Sequence, residues 1–395
     1  MPQFLQIHTL TSYPASLLNR DDVGFAKRIP FGDSVRTRVS SQCLKRHWRT
    51  FDGDEGWHGI SGAEMSVRSR RTFENHIVSP LIDDGVDPAV ARAVGAALLE
   101  LVLGSAPKEG AALESGQVTV LGLPELRYLR EEAASIAQGI EAASAKKLVA
   151  EAKKATKQRA KDRDWKKNLH EMKRAAGLDA ALFGRMVTSD VLAAGDASIH
   201  VAHAFTVHGR KSESDYFSAV DELSQAEGEA GSGHINSTEL TSGVFYGYVA
   251  VDFGQLVSNL EGCPPSDWGD ANLSLAREVI GRFVRLVATV SPGAKRGSTA
   301  PYAYAHLVAL EHGPAQPRTF ANAFLDAVRP TEDPIRRAYE KLAVHLGELD
   351  GAYGAPGERA SLRIGAGAEE LEPAFGAAAS LDALSAWAGE RLGAA

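Results

Sequence analysis

Residues 34–49 read SVRTRVSSQCLKRHWR, and the change of period inside this stretch decides how the fold is read. Its first half, VRTRVS, is β-branched and alternating, with Arg36 and Arg38 two apart and so on one side of an extended segment. The second half, SSQCLKRHW, reads as a short helix. Ser40 or Ser41 suits the N-cap, and Leu44 and Trp48 fall at i and i+4. Lys45, Arg46 and Arg49 are left on the exposed flanks. With Arg36 and Arg38 they make five cations in sixteen residues without Asp or Glu, in a chain of formal net charge −7. Solvated helix faces mix both signs, so a one-sign patch this dense points to a polyanion, or to a surface bordered by acids elsewhere.

The chain has 395 residues, 44% hydrophobic and 24% charged, enough for one large elaborated domain or two ordinary ones with full cores. Its start, MPQFLQIHTLTSY, has no basic run followed by an apolar one, so a secretory signal is not expected. The most apolar helical stretch, 89–103, is interrupted by Arg92 and Glu100 and is too short to span a bilayer. Cys43 and Cys263 form no metal-spaced cluster and no disulfide framework. A cytoplasmic protein without membrane partners is expected.

Upstream of the opening stretch, QFLQIHTL is the first strand candidate, ended by the turn-rich TSYPAS. From about 62 to 182 the pattern is helical throughout. The segment from Ala145 to Arg174 carries twelve Lys or Arg against four acids, a local net charge of +8, which leaves −15 for the rest of the chain. Strand pattern returns in SIHVAHAFTVH. A polar, Gly/Ser-rich region from Gly209 to Gly243 contains one apolar knot, DYFSAV. The strand VFYGYVAVD, the amphipathic helix NLSLAREVIGRFVRLVATV and the strand AYAHLVALE follow, then helices at about 318–329, 333–349 and 381–392. Without the insertions the order is strand, helix, strand, strand, helix, strand. That is the split βαβ order of a ferredoxin-like domain, shared with RNA-recognition modules.

Six stretches carry a family resemblance: LNRDD (18–22), RVSSQCLKRHWR (38–49), GRMVTSD (184–190), VAHAFTVH with DYFSAVDEL (201–208, 215–223), SGVFYGYVAVD and SPGAKR (291–296). In this order they resemble the CasC family, the backbone subunit of Cascade, the type I-E CRISPR surveillance complex. The resemblance implies an α+β fold with an RNA-recognition-like palm, an inserted helical fingers domain and a protruding β-hairpin thumb. Palm would occupy 1–61 and 183–350, fingers 62–182, and thumb about 208–243, with a C-terminal helical segment at 351–395. It also implies a non-enzymatic protein that polymerises along a CRISPR RNA and presents guide bases to target DNA. Its partners would be further copies of itself and the other Cascade subunits: the guide 5′-end-capping subunit and the large and small subunits.

Carried over residue by residue, the resemblance assigns Arg20, Lys27, Ser40, Gln42, Lys45, Arg49 and Lys295 to the guide backbone. Hydroxyl, amide and cationic groups would hold phosphates and 2′-hydroxyls without reading sequence. Met186, Tyr216, Phe217 and Val220 are assigned to the thumb and the kinked base, where aromatic faces stack on bases. Lys146, Lys147, Lys153, Lys154 and Lys157 are assigned to the surface facing target DNA. Positions 146, 150, 153 and 157 share one helical face, so three of these lysines are expected to project together.

Residues that tempt other chemistry are few. His200 and His208 should face one way along a strand and His203 the other, so no metal site and no cofactor are expected. No phosphate loop, nucleophile elbow or metalloprotease helix is present. Asp33 in PFGDSV lies in a palm loop comparable to one that related type III subunits use to cleave RNA. The alternative reading is therefore an RNA endonuclease built on Asp33, with His8 and His47 as further residues to test; beside Gly32, Asp33 also suits a turn. Arg36 and Arg38 have a structural alternative, pairing with Asp21 or Asp22.

Overall fold

The computed structural model describes residues 3–108, 112–140, 145–161, 165, 176–185, 195–220, 232–293, 299–329 and 333–393, without the side chains of 145–146, 217–220 and 232–236. Two compact units share the chain: Met1–Gly56, His200–Phe253 and Leu273–Ala395 form one, and Trp57–Ile199 with Gly254–Asn272 the other.

The first unit opens with β1 (Phe4–Ser16), β2 (Arg28–Phe31), β3 (Ser34–Val39) and α1 (Ser41–Arg49). The chain then enters the second unit: β4 (Ser66–Ser69), α2 (Ser79–Asp83), α3 (Pro88–Leu103), β5 (Thr119–Gly122), α4 (Leu123–Gln138), α5 (Ala145–Arg159) and α6 (Leu178–Phe183). Back at the sheet come β6 (Ile199–Val201), β7 (Ala204–Thr206), β8 (Ser212–Val220) and β9 (Ser232–Asp252). After α7 (Phe253–Glu261), the rest is α8 (Ser274–Thr289), β10 (Leu307–Gly313), α9 (Pro334–Tyr353), β11 (Glu358–Arg363), α10 (Glu372–Phe375) and α11 (Leu381–Arg391).

The sheet order is β11-β10-β1-β9-β7-β3-β2, and its middle, β10-β1-β9-β7, is the antiparallel ferredoxin-like arrangement expected from the element order. Both faces of its centre are covered. Leu5 through Leu10 are all buried, as is every residue of β10. Helix α1 lays Trp48 edge-on against Phe283 of α8, ring centres 5.4 Å apart. Val279, Ile280, Phe283, Val284 and Leu286 of α8 are buried; each large side chain among them contributes roughly 1.5–3 kcal/mol by leaving water. A second cluster joins Leu10, Tyr246 and Leu307 to Phe320, Phe324, Tyr339 and Leu342.

Several elements depart from expectation. β1 does not stop at residue 10: it pairs with β9 as far as Ser16, with a register shift between Tyr13 and Ser16 that accommodates Pro14. The 62–182 region is not wholly helical, since β4 and β5 pair over Ser66–Gly122 to Ser69–Thr119. The C-terminal stretch is not wholly helical either, because β11 adds an edge strand against β10. The expected single strand at 198–208 is broken into β6 and β7. His200 is exposed and His208 buried, so they do not share a face.

In the second unit α3 starts at Asp87, whose carboxylate accepts from Ala89 N and Val90 N, and ends at Gly104 with φ +69°. Its apolar face joins Leu121, Leu126, Leu129, Leu148 and Trp165 in one core. A buried pair, Arg185 with Glu125 at 2.6 Å, locks the start of α4, where Glu125 also accepts from Gly122 N at 2.9 Å.

Candidate functional site

Ser40 caps α1: its backbone is extended and its Oγ accepts from Cys43 N at 3.3 Å. Two other side chains reach the same terminus. Asn19 Oδ1 accepts from Ser40 N at 2.9 Å, and His203 Nδ1 accepts from Ser41 N at 2.8 Å. Asn19 also uses its backbone oxygen to accept from Lys27 N at 2.9 Å. One asparagine thereby ties the LNRDD turn to the helix, with Lys27 close to its positive end. The turn is shaped by Asp21, whose Oδ1 accepts from Val23 N at 3.1 Å and Phe25 N at 2.8 Å.

At this terminus Gln42 is exposed, Lys27 and Arg38 are half-buried and Ser40 is buried; Arg20 in the turn is exposed, and half-buried Lys45 and Arg49 stand further along α1, Arg49 at its last residue. α1 has no acid in its first turn. His203 is held below its usual pKa by burial first and then by the charges of Arg38 and Lys27, so it stays neutral as an acceptor. Chemically, this is a helix N-terminus with Lys27 and Arg38 beside it and further cations along the helix, suited to anions such as phosphate.

Arg36 is not part of it. The guanidinium is wholly buried and donates to the carbonyls of Phe31 (3.2 Å), Thr206 (3.3 Å) and Phe324 (2.7 Å), with Asp33 at 3.3 Å. Its partner is thus Asp33, and neither Asp21 nor Asp22. Burial lowers its pKa, and Asp33 and Asp326 oppose that. Arg38 instead stays on the surface, its Nε donating to Arg28 O at 3.2 Å.

Asp33 occupies the two-residue turn between β2 and β3. It accepts from Arg36 and from Ala327 N at 3.1 Å through the same oxygen. Gly32 before it has φ +62°, and a Cβ there would lie 1.8 Å from Leu325 O. His8 is wholly buried. Its ring stacks on Phe320 at 3.8 Å, and Nδ1 bonds Tyr246 Oη at 2.9 Å. Beside it Glu311 is paired with Arg359 at 2.7 Å and Arg318 at 3.3 Å. Although burial works to raise it, contact with His8 and those arginines holds the Glu311 carboxyl at about 2. His47 Nδ1 bonds Cys43 O at 2.8 Å, and its Nε2 accepts from Gly293 N at 3.3 Å.

β8 and β9 form the long hairpin, Tyr216 opposite Ser237 and Phe217 opposite Asn236. Tyr216 is 65% exposed. Phe217 and Val220 lie on β8 by their backbone, and their side chains are outside the described set, as are residues Met186 and Lys295. Glu239, at the hairpin base, accepts from Ala26 N at 2.7 Å and pairs with Arg210, with Arg28 at 3.6 Å. Burial opposes ionisation of Glu239, but the Ala26 amide and Arg210 outweigh it and keep the carboxyl below its usual range.

Helix α5 buries Leu148, Ala152 and Thr156 and exposes Lys147, Lys153, Lys154 and Lys157. Lys153 leans to Glu100 at 2.7 Å. Lys153 and Lys157 are both exposed on this helix, and Lys147 and Lys154 are exposed beside them; the side chain of Lys146, the third residue of the expected face, is outside the described set.

Asn19 and Glu239 were not singled out from sequence, and His203 was weighed there only as a metal ligand. Asn19 stands inside a marker stretch, but nothing in the sequence says that an amide there reaches residue 40. Among described residues no cluster of metal-ligating side chains is found, and no helix is long and apolar enough to cross a membrane.

Among solved structures the chain is similar to one titled "CRISPR RNA-guided surveillance complex, pre-nicking". Identity is 26% and TM-score 0.73, with 98% of this chain and 100% of that one covered. A second, titled "CRISPR RNA-guided surveillance complex", is 23% identical with TM-score 0.64 over the same shares, a likeness of fold. The chain belongs to the CT1975-like protein family of Cas proteins, whose sequence profile matches residues 5–387. Among curated proteins none matches.

Proposed function

We propose that this chain is a non-enzymatic backbone subunit of a type I-E Cascade complex, of CasC type, which polymerises along CRISPR RNA and presents guide bases to target DNA. The observation that carries the reading is the capped terminus of α1, where Asn19 ties the turn that holds Arg20 and Lys27 to the helix that carries Gln42 and Lys45. Likeness over nearly the whole chain to a protein titled as an RNA-guided surveillance complex supports it. Ser40 orients the helix, while Arg20, Lys27, Lys45 and Arg49 supply charge and Gln42 hydrogen bonds to phosphate and 2′-hydroxyl. Lys295 and Met186 are given RNA-contacting roles by family analogy. Tyr216, Phe217 and Val220 act at the kinked base, and Lys147, Lys154 and Lys157, with Lys146 and Lys153, face target DNA. Copies of the chain, the 5′-end-capping subunit and the large and small subunits complete the assembly.

Asp33 receives no catalytic role in this reading, because its bonded oxygen serves Arg36 and Ala327 and it closes a hairpin turn. Co-expression with a CRISPR transcript, followed by size exclusion, is the test. A large particle holding protected RNA of uniform length, which releases that RNA with rising salt and leaves complementary RNA uncut in divalent metal, is expected. An RNA-free chain in the presence of the partner subunits, or cleavage lost on Asp33→Ala, would overturn it.

A further inference from the structure

Tyr302 and Tyr304 are 68% and 71% exposed, among the most exposed aromatic side chains described. They alternate with Ala303, which packs against the cluster holding Tyr13, Leu18, Phe245, Cys43 and Leu44, and with buried Ala305. Such alternation is that of an extended segment with both rings on its outer side. The segment is fastened from within. Ser291 Oγ donates to Ala303 O at 3.0 Å and accepts from Ala303 N at 2.9 Å, and Ala305 N donates to Ala288 O at 2.8 Å. Before it, Ala300 has φ +44°, one of two non-glycine residues with positive φ among those described. Strained backbone and inward clips hold two large rings in water, and among the described residues none pairs with them.

In sequence, Val279 to Leu310 has no Asp or Glu and contains Arg282, Arg285, Lys295 and Arg296; Arg282 and Arg285 are paired with Glu278, Glu55 and Asp382. The same stretch runs beside α1: Gly293 donates to His47, and Ala303 lodges against Cys43 and Leu44. Side chains two apart on extended backbone are separated by about 6.6 Å, roughly twice the 3.4 Å thickness of a stacked base. One unpaired base fits such a slot.

We infer that Tyr302 and Tyr304 form a stacking platform for a base of the single-stranded RNA whose phosphates lie on α1. The platform is separate from the hairpin aromatics. It rests on the RNA-binding reading above, and it adds a contact to the base, which the cations do not supply.

Anisotropy titrations of the whole chain, Y302A/Y304A and Y302F/Y304F test it. The probes are labelled oligoadenylate and a length-matched abasic ribose-phosphate strand. The alanine pair should weaken oligoadenylate binding by about tenfold or more and leave the abasic strand unaffected, and the phenylalanine pair should behave as the parent chain. Should the parent chain bind neither strand, the RNA reading falls and this inference with it. If the parent binds and the alanine pair binds each strand as tightly as the parent does, or loses affinity for both alike, the inference alone is wrong. Altered sedimentation of the RNA-free alanine pair with unchanged affinity would assign the tyrosines to contact between copies, and would also overturn it.

Discussion

Arg36 and Arg38 stand two residues apart on one strand, and the sequence treats them alike. The fold divides them: Arg36 spends its guanidinium on three carbonyls and Asp33, while Arg38 stays at the surface beside the α1 terminus with Lys27 and His203. The same division runs through the sheet unit. Glu311, Arg318, Arg359 and Asp350 form a closed set of ion pairs, whereas Arg20, Gln42 and Arg46 are turned to solvent. A count of cations therefore overstates the anion-binding surface, and the difference is set by what covers each face of the sheet.

Substitutions on the two sides should separate cleanly. Arg36→Ala strands three carbonyls and should cost about 3–4 kcal/mol in urea unfolding. A loss below about 1 kcal/mol would erase the contrast with the surface cations. Gly32→Ala should cost about 2–3 kcal/mol, since the φ is left-handed and the Cβ meets Leu325 O. Next comes Asn19→Ala, with about 1–2 kcal/mol lost from the turn-to-helix tie and RNA affinity reduced although no charge is removed. Unchanged affinity there would mean that the turn does not need to be held. Arg20→Ala should leave stability within about 0.5 kcal/mol while weakening RNA binding.

Acid should attack the interior. His8, His208 and His312 are held below their ordinary 6.5 by burial. The unfolded chain then takes up their protons first. The stability they confer is full above 6.5 and declines as pH falls below it. Glu311, at about 2 against an ordinary 4.5, adds a second loss that starts near 4.5 and runs down toward 2. Thermal unfolding between pH 8 and pH 4 should show the first decline, and His8→Gln should reduce it; a flat profile would place these histidines in water.

Much of the fold could be read from periodicity, and the reasons are visible in particular residues. Leu44 and Trp48 gave α1, and the alternation in VRTRVS gave β3, because each has one apolar and one polar face. The sequence ends β1 at Leu10, before TSYPAS, since a bulge that lets a strand continue past Pro14 has no sequence sign distinct from a turn. β11, ERASLR, is too polar to look like a strand, and β10 supplies the pairing that makes it one. The site was half legible: its cations stand in the sequence, but Arg36's burial, the Asn19 tie and the Glu239 node join residues between 21 and 288 positions apart.

The most direct test of the account is the salt dependence of RNA binding by the intact chain and by Arg20→Ala. If each copy neutralises about four phosphates, the logarithmic slope should be roughly −3 per copy, and Arg20→Ala should reduce it by about 0.7. A slope near zero, or one that Arg20→Ala leaves unchanged while binding is lost, would contradict the assignment of this surface to the RNA backbone.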